Sequence, residues 1–384
     1  MKRFIICFIS AFVLCFKISI PCDAAFPAEL EISAAAYVVM DAATRSVIYE
    51  ANSNMQLPMA STTKIMSTLL CLESGDLDSE FTVDSDAIRV EGSSMGLVEG
   101  DTVTKRALCY GMLLPSGNDA AGATAVRISG SYSEFAVLMN KRAEEIGMQN
   151  THFVTPSGLH DENHYSTAYD MGILTAEALK NKDFREICSC QSAKVTFGNP
   201  PFDRWLTNTN KLLKNCEGVI GVKTGFTDEA GRCLVSACKR NGVTLICVTL
   251  NDKNDWNDHS NLYDLAFSNI TVKKADIPSD IKLPVAGSDV ISVPLYAKEE
   301  ITYSSYNSKQ TTDTDVRWEV EAAPMLYAPV QPDSIAGYLV HYCGEFEVAR
   351  QPLFTVCGAD YLENNSKNKN IFEKISEKLK EFFY

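Results

Sequence analysis

The sequence has no surplus of positive charge. Lys and Arg together number 35 against 49 Asp and Glu, which gives a formal net charge of -14 at pH 7. Because a protein that binds nucleic acid needs a basic surface to meet the phosphates, this balance argues against a nucleic-acid partner. The 46% hydrophobic and 22% charged residues are ordinary for a folded soluble protein, and 384 residues allow two or three domains.

Metal-binding patterns are also lacking. No histidine stands at a metal-ligand spacing or in a catalytic-triad pattern, and Cys188-Ser-Cys190 is too tight for the usual zinc spacing. The sequence therefore predicts neither a metal site nor a cofactor. We interpret the histidines as turn or surface residues: His152, His160, His164, His259 and His341.

No apolar stretch has the length of a membrane span. The apolar run at positions 4–16 has about 13 residues, whereas a span needs roughly 20. Lys2 and Arg3 precede this run, and small residues at 22–25 follow it, which is typical of a cleaved export signal. We predict a signal peptide over residues 1–25 and an exported protein; an uncleaved membrane anchor is the alternative.

Cysteine, in contrast, is frequent. Of 13 cysteines, three lie in the predicted signal and ten follow it. Cysteines of an exported protein can pair, but most of these stand in apolar runs, where cysteine behaves as a small core residue. We therefore expect mostly free thiols. The cysteines in apolar runs are Cys71, Cys109, Cys233, Cys238 and Cys247.

The order of predicted elements indicates an α+β fold. Strands are predicted over 36–40 and 46–49, forming a hairpin, and an antiparallel meander over 219–222, 233–238 and 243–250. The first hairpin is expected to join this later sheet. Between them lie a loop-rich stretch over 76–105 and a helical region, and one more helix follows the meander. The predicted helices cover 104–114, 119–126, 133–146, 167–179 and 256–267. Asp170 stands three residues after Thr167, which predicts an N-cap at Thr167 with a capping box.

The C-terminal third changes character. Residues 271–289 contain Pro278 and Pro284 and are typical of a linker, and short strand patterns over 280–360 predict a small all-β domain without a cluster of catalytic residue types. The tail over 368–384 has one apolar helical face and a mixed Glu and Lys face. It either makes a peripheral membrane contact or packs on its own domain.

The stretch Ser61-Thr-Thr-Lys64 opens a predicted helix, because an apolar run at helical spacing follows it. Lys64 shares the helical face of Ser61. A serine hydroxyl becomes a nucleophile when a neighbouring base takes its proton, and a lysine can do this if desolvation or a second cation keeps its amine neutral. The S-x-x-K pattern occurs four times in the chain, so a plain helix N-cap at Ser61 is the alternative.

Two further motifs follow in order. Ser116-Gly-Asn118 is a turn sequence between two predicted helices, and Lys223-Thr-Gly225 follows the predicted strand 219–222. Each motif is weak alone, but the three together match the set of the penicillin-recognising serine acyltransferases.

The chain resembles the low-molecular-mass penicillin-binding proteins, which are D-alanyl-D-alanine carboxypeptidases of the S11 peptidase type. The resemblance covers about residues 30–270 strongly. Its motifs are Asp41-Ala-Ala-Thr-Arg-Ser-Val-Ile-Tyr49, Leu57-Pro-Met-Ala-Ser-Thr-Thr-Lys64, Ser116-Gly-Asn-Asp-Ala120, Asn150-Thr-His-Phe153, Asp170-Met and Gly221-Val-Lys-Thr-Gly-Phe-Thr227.

The resemblance implies a β-lactamase-like peptidase domain over 26–270, a β-rich domain over 280–360 and an amphipathic anchor over 368–384. It implies a peptidoglycan pentapeptide stem as substrate, acylation by β-lactams, and a place on the outer face of the cytoplasmic membrane or in the cell wall space. The implied catalytic residues are Ser61 as nucleophile, Lys64 as base and Ser116 as proton relay. The implied substrate-binding residues are Asn118, Lys223, Thr224, Gly225 and Phe226.

One position departs from the family pattern. Many relatives have a histidine after Lys-Thr-Gly, whereas this chain has Phe226. If the position contributes a backbone N–H to an oxyanion hole, the change is expected to matter little. There are three alternatives. A β-lactamase would need a Glu that activates water, but the segment of Glu177 is more typical of a plain helix, and the extra β domain and tail argue against this class. A sensor that acylates without turnover stays open, whereas the presence of all key residues argues against an envelope protein with a decayed site.

Overall fold

A computed structural model describes residues 31–306, 316–344 and 346–362, so the predicted signal and tail helix lie outside the described residues. In chain order, the strands are β1 Ala36–Asp41, β2 Val47–Ala51, β3 Glu80–Thr82, β4 Thr102–Thr104, β5 Ser192–Gly198, β6 Pro201–Thr207, β7 Val219–Thr227, β8 Gly231–Arg240, β9 Val243–Leu250, β10 Ile270–Lys274, β11 Lys282–Ala286, β12 Ser292–Ala297, β13 Thr302–Tyr306, β14 Arg317–Ala322, β15 Leu326–Tyr327, β16 Ile335–Cys343 and β17 Phe346–Thr355. The helices are α1 Lys64–Glu73, α2 Lys105–Leu113, α3 Asn118–Ser129, α4 Tyr132–Ile146, α5 Ala168–Ala178, α6 Lys182–Ser189, α7 Leu212–Asn215 and α8 Asp255–Asn269.

The first hairpin joins the later meander in one antiparallel sheet of order β2-β1-β9-β8-β7. This confirms the predicted α+β fold. Helix α5 packs on the sheet face that carries Val38 and Met40, and α8 packs on the opposite face through Ser236 and Thr249. Because helices cover both faces, β8 and β9 are apolar over most of their length rather than alternating.

Helix α1 is enclosed by other elements. It contacts α2, α3 and α5, and Ile65, Met66 and Leu69 are buried. A 3-10 turn over Ala60–Thr63 leads directly into its first residue, Lys64. A helix with apolar side chains on several sides belongs in a core, and this burial holds the Ser61–Lys64 motif rigidly.

Three predictions of elements need correction. Strand β7 continues to Thr227, so Lys223-Thr-Gly225 lies inside the strand rather than after it, because these residues pair with 233–235 of β8. The expected linker over 271–289 contains most of β10 and all of β11, each paired with another strand. The loop-rich segment 76–105 contains the short paired strands β3 and β4.

The C-terminal part is β-rich, as predicted. It contains a six-stranded sheet of order β14-β16-β17-β12-β11-β15 and the separate pair β10 and β13. Leu295, Leu339 and Leu353 form the centre of its apolar cluster. The backbone N–H of Ser304 donates to Asp41 Oδ2 at 2.7 Å, which connects β13 to the central sheet. The division into domains over 26–270 and 280–360 stays a prediction.

None of the helices within the described ranges combines the length and hydropathy of a membrane span. The predicted contact through the tail over 368–384 stays a prediction.

Candidate active site

The 3-10 turn before α1 presents Ser61. Its first residue, Ala60, has a left-handed backbone with φ of 48°, which costs energy for a residue with a Cβ and is typical of constrained functional turns. The hydroxyls of Thr62 and Thr63 donate to Met59 O at 2.6 Å and Ala60 O at 2.8 Å. These bonds hold the turn closed, so the half-buried Ser61 has a defined position at the edge of a cavity.

Lys64 is fully buried and makes three polar contacts through Nζ. The distances are 2.8 Å to Ser61 Oγ, 2.7 Å to Asn118 Oδ1 and 2.7 Å to the carbonyl oxygen of Ser157. A neutral lysine amine has only two hydrogens, and the Asn118 and Ser157 oxygens can only accept. In the neutral state, these two oxygens take both hydrogens, and the nitrogen lone pair faces the Ser61 hydroxyl, which donates to it.

The surroundings favour this neutral state. Burial lowers the pKa of Lys64 well below its usual value, and the nearby Lys223 ammonium lowers it further, against a smaller opposing effect of Asp119. Both causes named for Lys64 from the sequence, desolvation and a second cation, are therefore present. The arrangement can accept the proton of Ser61.

Ser116 and Asn118 reach the site from the start of α3, where Ser116 lies just before the helix and Asn118 is its first residue. Ser116 is buried and has a left-handed φ of 67°, and it lines the same cavity as Ser61. The orientation of the Asn118 amide follows from its contacts, since Nδ2 donates to Glu91 O at 2.6 Å and Oδ1 accepts from Lys64. Asn118 thus joins α3, α1 and the segment around residue 91 in one network.

Asp119 is a site residue that the motif analysis missed. Its carboxylate accepts the backbone N–H groups of Met95, Gly96 and Leu97 at 2.9 to 3.0 Å, and the hydroxyl of Ser94 at 2.6 Å. This holds the segment that also contains Ser93, another residue lining the cavity. Its sequence signals were its place in the resemblance motif over 116–120 and its position in the first turn of a helix, which many helices share.

Strand β7 brings the third motif to the nucleophile turn. A Cβ on Gly225 would lie 3.1 Å from the backbone nitrogen of Ser61, so glycine allows the strand and the turn to meet. Lys223 is buried and its ammonium donates to Thr224 O at 2.7 Å; burial lowers its pKa to about 7. The Thr224 hydroxyl pairs with Thr209 Oγ1 at 2.7 Å.

These motifs border one cavity of about 590 Å³, a size suited to the end of a peptide. Phe226 is exposed at its rim, whereas Lys64, Asn118 and Lys223 lie behind the surface. The structure therefore brings all eight predicted site residues together. Residues that line the cavity directly include Ser61, Ser116, Thr224, Gly225, Phe226 and Trp256.

The interpretation of the histidines as turn or surface residues is wrong for His259 and His341, which are buried in a helix and a strand. His164 closes a turn, since its backbone N–H donates to Asp161 O at 2.9 Å, but it is buried as well. His164 supports the nucleophile turn. Its Nδ1 accepts the backbone N–H groups of Val154 and Thr155 at 2.9 and 3.2 Å, so the ring proton is on Nε2, which donates to Thr63 Oγ1 at 2.8 Å. Periodicity could not reveal this role, because His164 lies in an irregular segment a hundred residues after the turn.

We expect His164 to make the protein less stable in acid. Burial lowers its pKa to about 4, whereas an unfolded histidine titrates near 6.5. Between these values the unfolded chain binds the proton first, so the free energy of unfolding falls as the pH drops, by up to about 3 kcal/mol in total. Thermal unfolding between pH 7 and 4 should show a shallower acid loss for His164→Gln than for wild type.

The control for this prediction is His160→Gln, since His160 is exposed. Buried His259, whose pKa is lowered to about 3 by burial, is unchanged in both variants and contributes equally. Equal acid slopes for His164→Gln and wild type would contradict the assignment.

Glu177 does not reach the site in the way that a β-lactamase would need. It lies on α5 and forms ion pairs with Arg45 at 3.1 Å, Arg142 at 3.0 Å and Lys180 at 3.2 Å. These cations lower the pKa of Glu177 despite its partial burial. The carboxylate is committed to a structural network.

Comparison with known proteins agrees with this geometry. A family model described as D-alanyl-D-alanine carboxypeptidase matches residues 23–254. The chain is 34% identical over 324 residues to D-alanyl-D-alanine carboxypeptidase DacF of Bacillus subtilis, covering 81% of this chain and 82% of that one. A D-alanyl-D-alanine endopeptidase of Pseudomonas aeruginosa is 31% identical over 231 residues, covering 59% of this chain and 74% of that one.

Solved structures show the same architecture. Penicillin-binding protein 5 from Haemophilus influenzae superposes with a TM-score of 0.61 at 27% identity, covering 86% of this chain and 98% of that one. The Streptomyces K15 DD-transpeptidase superposes with a TM-score of 0.60 at 30% identity, covering 62% of this chain and 98% of that one.

Proposed function

This chain belongs to the family of D-alanyl-D-alanine carboxypeptidases, and from that premise we propose that Ser61 is its nucleophile and Lys64 its general base. The observation that supports this most directly is the triple contact of Lys64 Nζ with Ser61, Asn118 and Ser157. Of these three partners, the Ser61 hydroxyl is the one that can donate a hydrogen bond to the lone pair of the neutral Lys64 amine. Proton transfer to Lys64 then accompanies attack of Ser61 Oγ on the carbonyl carbon of the penultimate D-alanine.

The substrate carboxylate is proposed to bind near Lys223 and Thr224. An anion at this place favours the charged form of Lys223 and so counteracts the burial that lowers its pKa to about 7. The Thr224 hydroxyl lines the same cavity and adds a hydrogen-bonding group. Because the motif lies within strand β7 and not in a loop, the strand holds the Lys223 ammonium and the Thr224 hydroxyl at a set distance from Ser61.

Charge on the attacked carbonyl oxygen is proposed to be met by the backbone N–H groups of Ser61 and Phe226. The close approach of Gly225 to the Ser61 nitrogen places these two segments side by side. The Phe226 side chain is 62% exposed, so its identity is not needed for this role. The absence of the usual histidine is therefore consistent with an intact oxyanion hole.

Ser116 is proposed to pass a proton to the leaving amine of the terminal D-alanine. It is held at the mouth of the cavity by its left-handed backbone, next to Asn118, which orients Lys64. Water then attacks the ester on Ser61, and the shortened stem peptide leaves. Penicillin, which also presents a carbonyl and a carboxylate, is expected to acylate the same serine.

We propose the carboxypeptidase reaction rather than cleavage of cross-linked stems as the main activity. The Bacillus subtilis relative, which matches over 81% of this chain and 82% of its own length, is named a carboxypeptidase, whereas two relatives named endopeptidases match over 59% and 53% of this chain. Because its substrate is peptidoglycan, the protein is proposed to act outside the cytoplasmic membrane.

The test gives the protein two substrates in separate reactions: a pentapeptide that ends in D-Ala-D-Ala, and a cross-linked dimer of stem peptides that lacks a terminal D-Ala-D-Ala. We expect release of D-alanine from the first, at least about tenfold faster than cleavage of the second, since one pocket difference is commonly worth about that factor. Faster cleavage of the dimer would identify an endopeptidase. Penicillin labelling without either product would identify a sensor.

A further inference from the structure

Two cysteines lie close together at the start of β7, before the Lys223 motif. Cys216 follows the short helix α7, and Cys238 lies on β8, where the ladder pairs it with Val219. The two thiols lie within hydrogen-bonding contact of each other. Neither residue belongs to the cavity that contains Ser61.

The turn between α7 and β7 holds the two thiols together. Lys239 N–H donates to Gly218 O at 2.7 Å, and Cys238 Sγ lies 3.4 Å from Glu217 O, which is an alternative acceptor to Cys216 for the single thiol proton. Gly218 has φ of 85°, and a Cβ there would lie 3.1 Å from Cys238 Sγ. The turn therefore lies directly on β8, with no side chain separating Cys216 from Cys238.

Charge and access distinguish the two thiols. Cys238 is buried, whereas Cys216 is half-buried and borders a cavity of about 730 Å³ that also contains Lys239, Arg240 and Ser260. Arg240 Nη2 donates to Cys216 Sγ at 3.8 Å. The hydrogen bond from Cys238 lowers the pKa of Cys216, and Arg240 adds to this effect. Cys216 is thus the more reactive and more accessible thiol.

We propose that Cys216 and Cys238 are a dithiol site that a disulfide compound oxidises to an intramolecular disulfide. The Cys216 thiolate attacks one sulfur of the oxidant, and the other sulfur leaves as a thiolate. Cys238 then loses its proton and attacks Cys216 Sγ, which expels the second oxidant thiolate. Overall, two cysteine thiols give up two electrons and two protons, and the oxidant disulfide becomes two thiols.

The bond would join the start of β7 to β8. The ring closed by Cys216 and Cys238 includes all of β7, and with it Lys223, Thr224 and Gly225. Closing such a loop removes conformations mainly from the unfolded chain. The oxidised protein is therefore more stable against global unfolding. This inference is independent of the proposed roles of Ser61 and Lys64.

A second pair provides the matched control. Cys71 and Cys109 also contact each other, between α1 and α2, but both are fully buried. A soluble disulfide has no path to that pair in the folded protein. Proximity alone would make the two pairs equivalent, whereas access and charge predict oxidation only at Cys216 and Cys238.

The experiment treats the folded protein with oxidised glutathione at pH 8, stops exchange with acid, and alkylates the remaining thiols. The exposed Cys357 is first changed to serine, to remove simple glutathione adducts there. We expect a loss of two hydrogens in the intact mass and a non-reduced peptide joining Cys216 to Cys238. The thermal midpoint should rise by about 5 °C and return after dithiothreitol.

The variants Cys216→Ser and Cys238→Ser should each lose both signals, whereas Cys109→Ala should keep them. Stable glutathione adducts without a cross-link, a different cysteine pair, or no oxidation would overturn the proposal. These readouts do not use catalysis, so failure of the roles proposed for Ser61 and Lys64 would leave the result unchanged.

Discussion

Replacing Ser61 with alanine is expected to abolish covalent labelling by penicillin and to lower D-alanine release by about 10⁴-fold or more. The variant lacks the atom that forms the ester, while the cavity and the backbone N–H groups remain. Residual activity is limited to what the oxyanion hole and substrate binding supply to attack by water. Intact mass after incubation with penicillin, and D-alanine release from a pentapeptide, measure the two effects.

The chain contains its own control for this variant. Ser279 begins another S-x-x-K sequence, which ends at Lys282, and both residues are exposed in the C-terminal part. Ser279→Ala removes a serine from the same four-residue pattern without touching the cavity. It should be labelled and should release D-alanine at the wild-type rate. Labelled Ser61→Ala protein would show that another residue is the nucleophile.

Replacing Lys64 with arginine is expected to lower the rate of acylation by about 10³-fold, within the range of a positioned general base. Arginine keeps the positive charge but does not become neutral at accessible pH, so it has no lone pair for the Ser61 proton. In wild type, the acylation rate should rise with pH as Lys64 loses its proton, and the arginine variant should lack this rise. Time courses of penicillin labelling between pH 5 and 9 measure both effects.

Lys105 offers a matched comparison for this change. It is also buried, and its ammonium donates to Ser74 Oγ at 2.9 Å, so it reproduces the lysine–serine contact outside the site. Lys105→Arg should acylate at the wild-type rate if it folds, which circular dichroism can verify. An active Lys64→Arg variant that keeps the wild-type pH dependence would contradict the assignment of Lys64 as the general base.

Local pattern predicted the five strands of the central sheet and the helices α1 to α5 and α8, but it missed α6 and the hairpin of β5 and β6. Thr167 illustrates this: the predicted N-cap accepts the backbone N–H of Asp170 at 3.0 Å. The reciprocal half of that capping box is absent, because the Asp170 carboxylate accepts from Asn150 N and Thr151 Oγ1, both at 2.7 Å. The spacing predicted the helix start, but a distant segment determined the partner of the carboxylate.

The third motif shows the same limit. Lys-Thr-Gly resembles a strand end followed by a turn, since glycine weakens a strand. In the folded protein, β8 pairs with the whole triplet, and Gly225 lies against the Ser61 turn. The hydrogen bonds to β8, and a close contact that only glycine allows, outweigh the local preference for a turn.

The sequence by itself determined the order of the central-sheet strands and of the main helices, and the residue types of the three motifs, because periodicity and motif spacing are properties of neighbouring residues. Only the tertiary structure decided the protonation and the hydrogen-bond partners of the motif residues. The contacts of Lys64 with Asn118 and Ser157 and the support from His164 join segments far apart in the chain, and the contact of Cys216 with Cys238 depends on the pairing of β7 with β8. Burial and long-range contact set the pKa and the hydrogen-bond partner of each group, and both arise only when the chain packs.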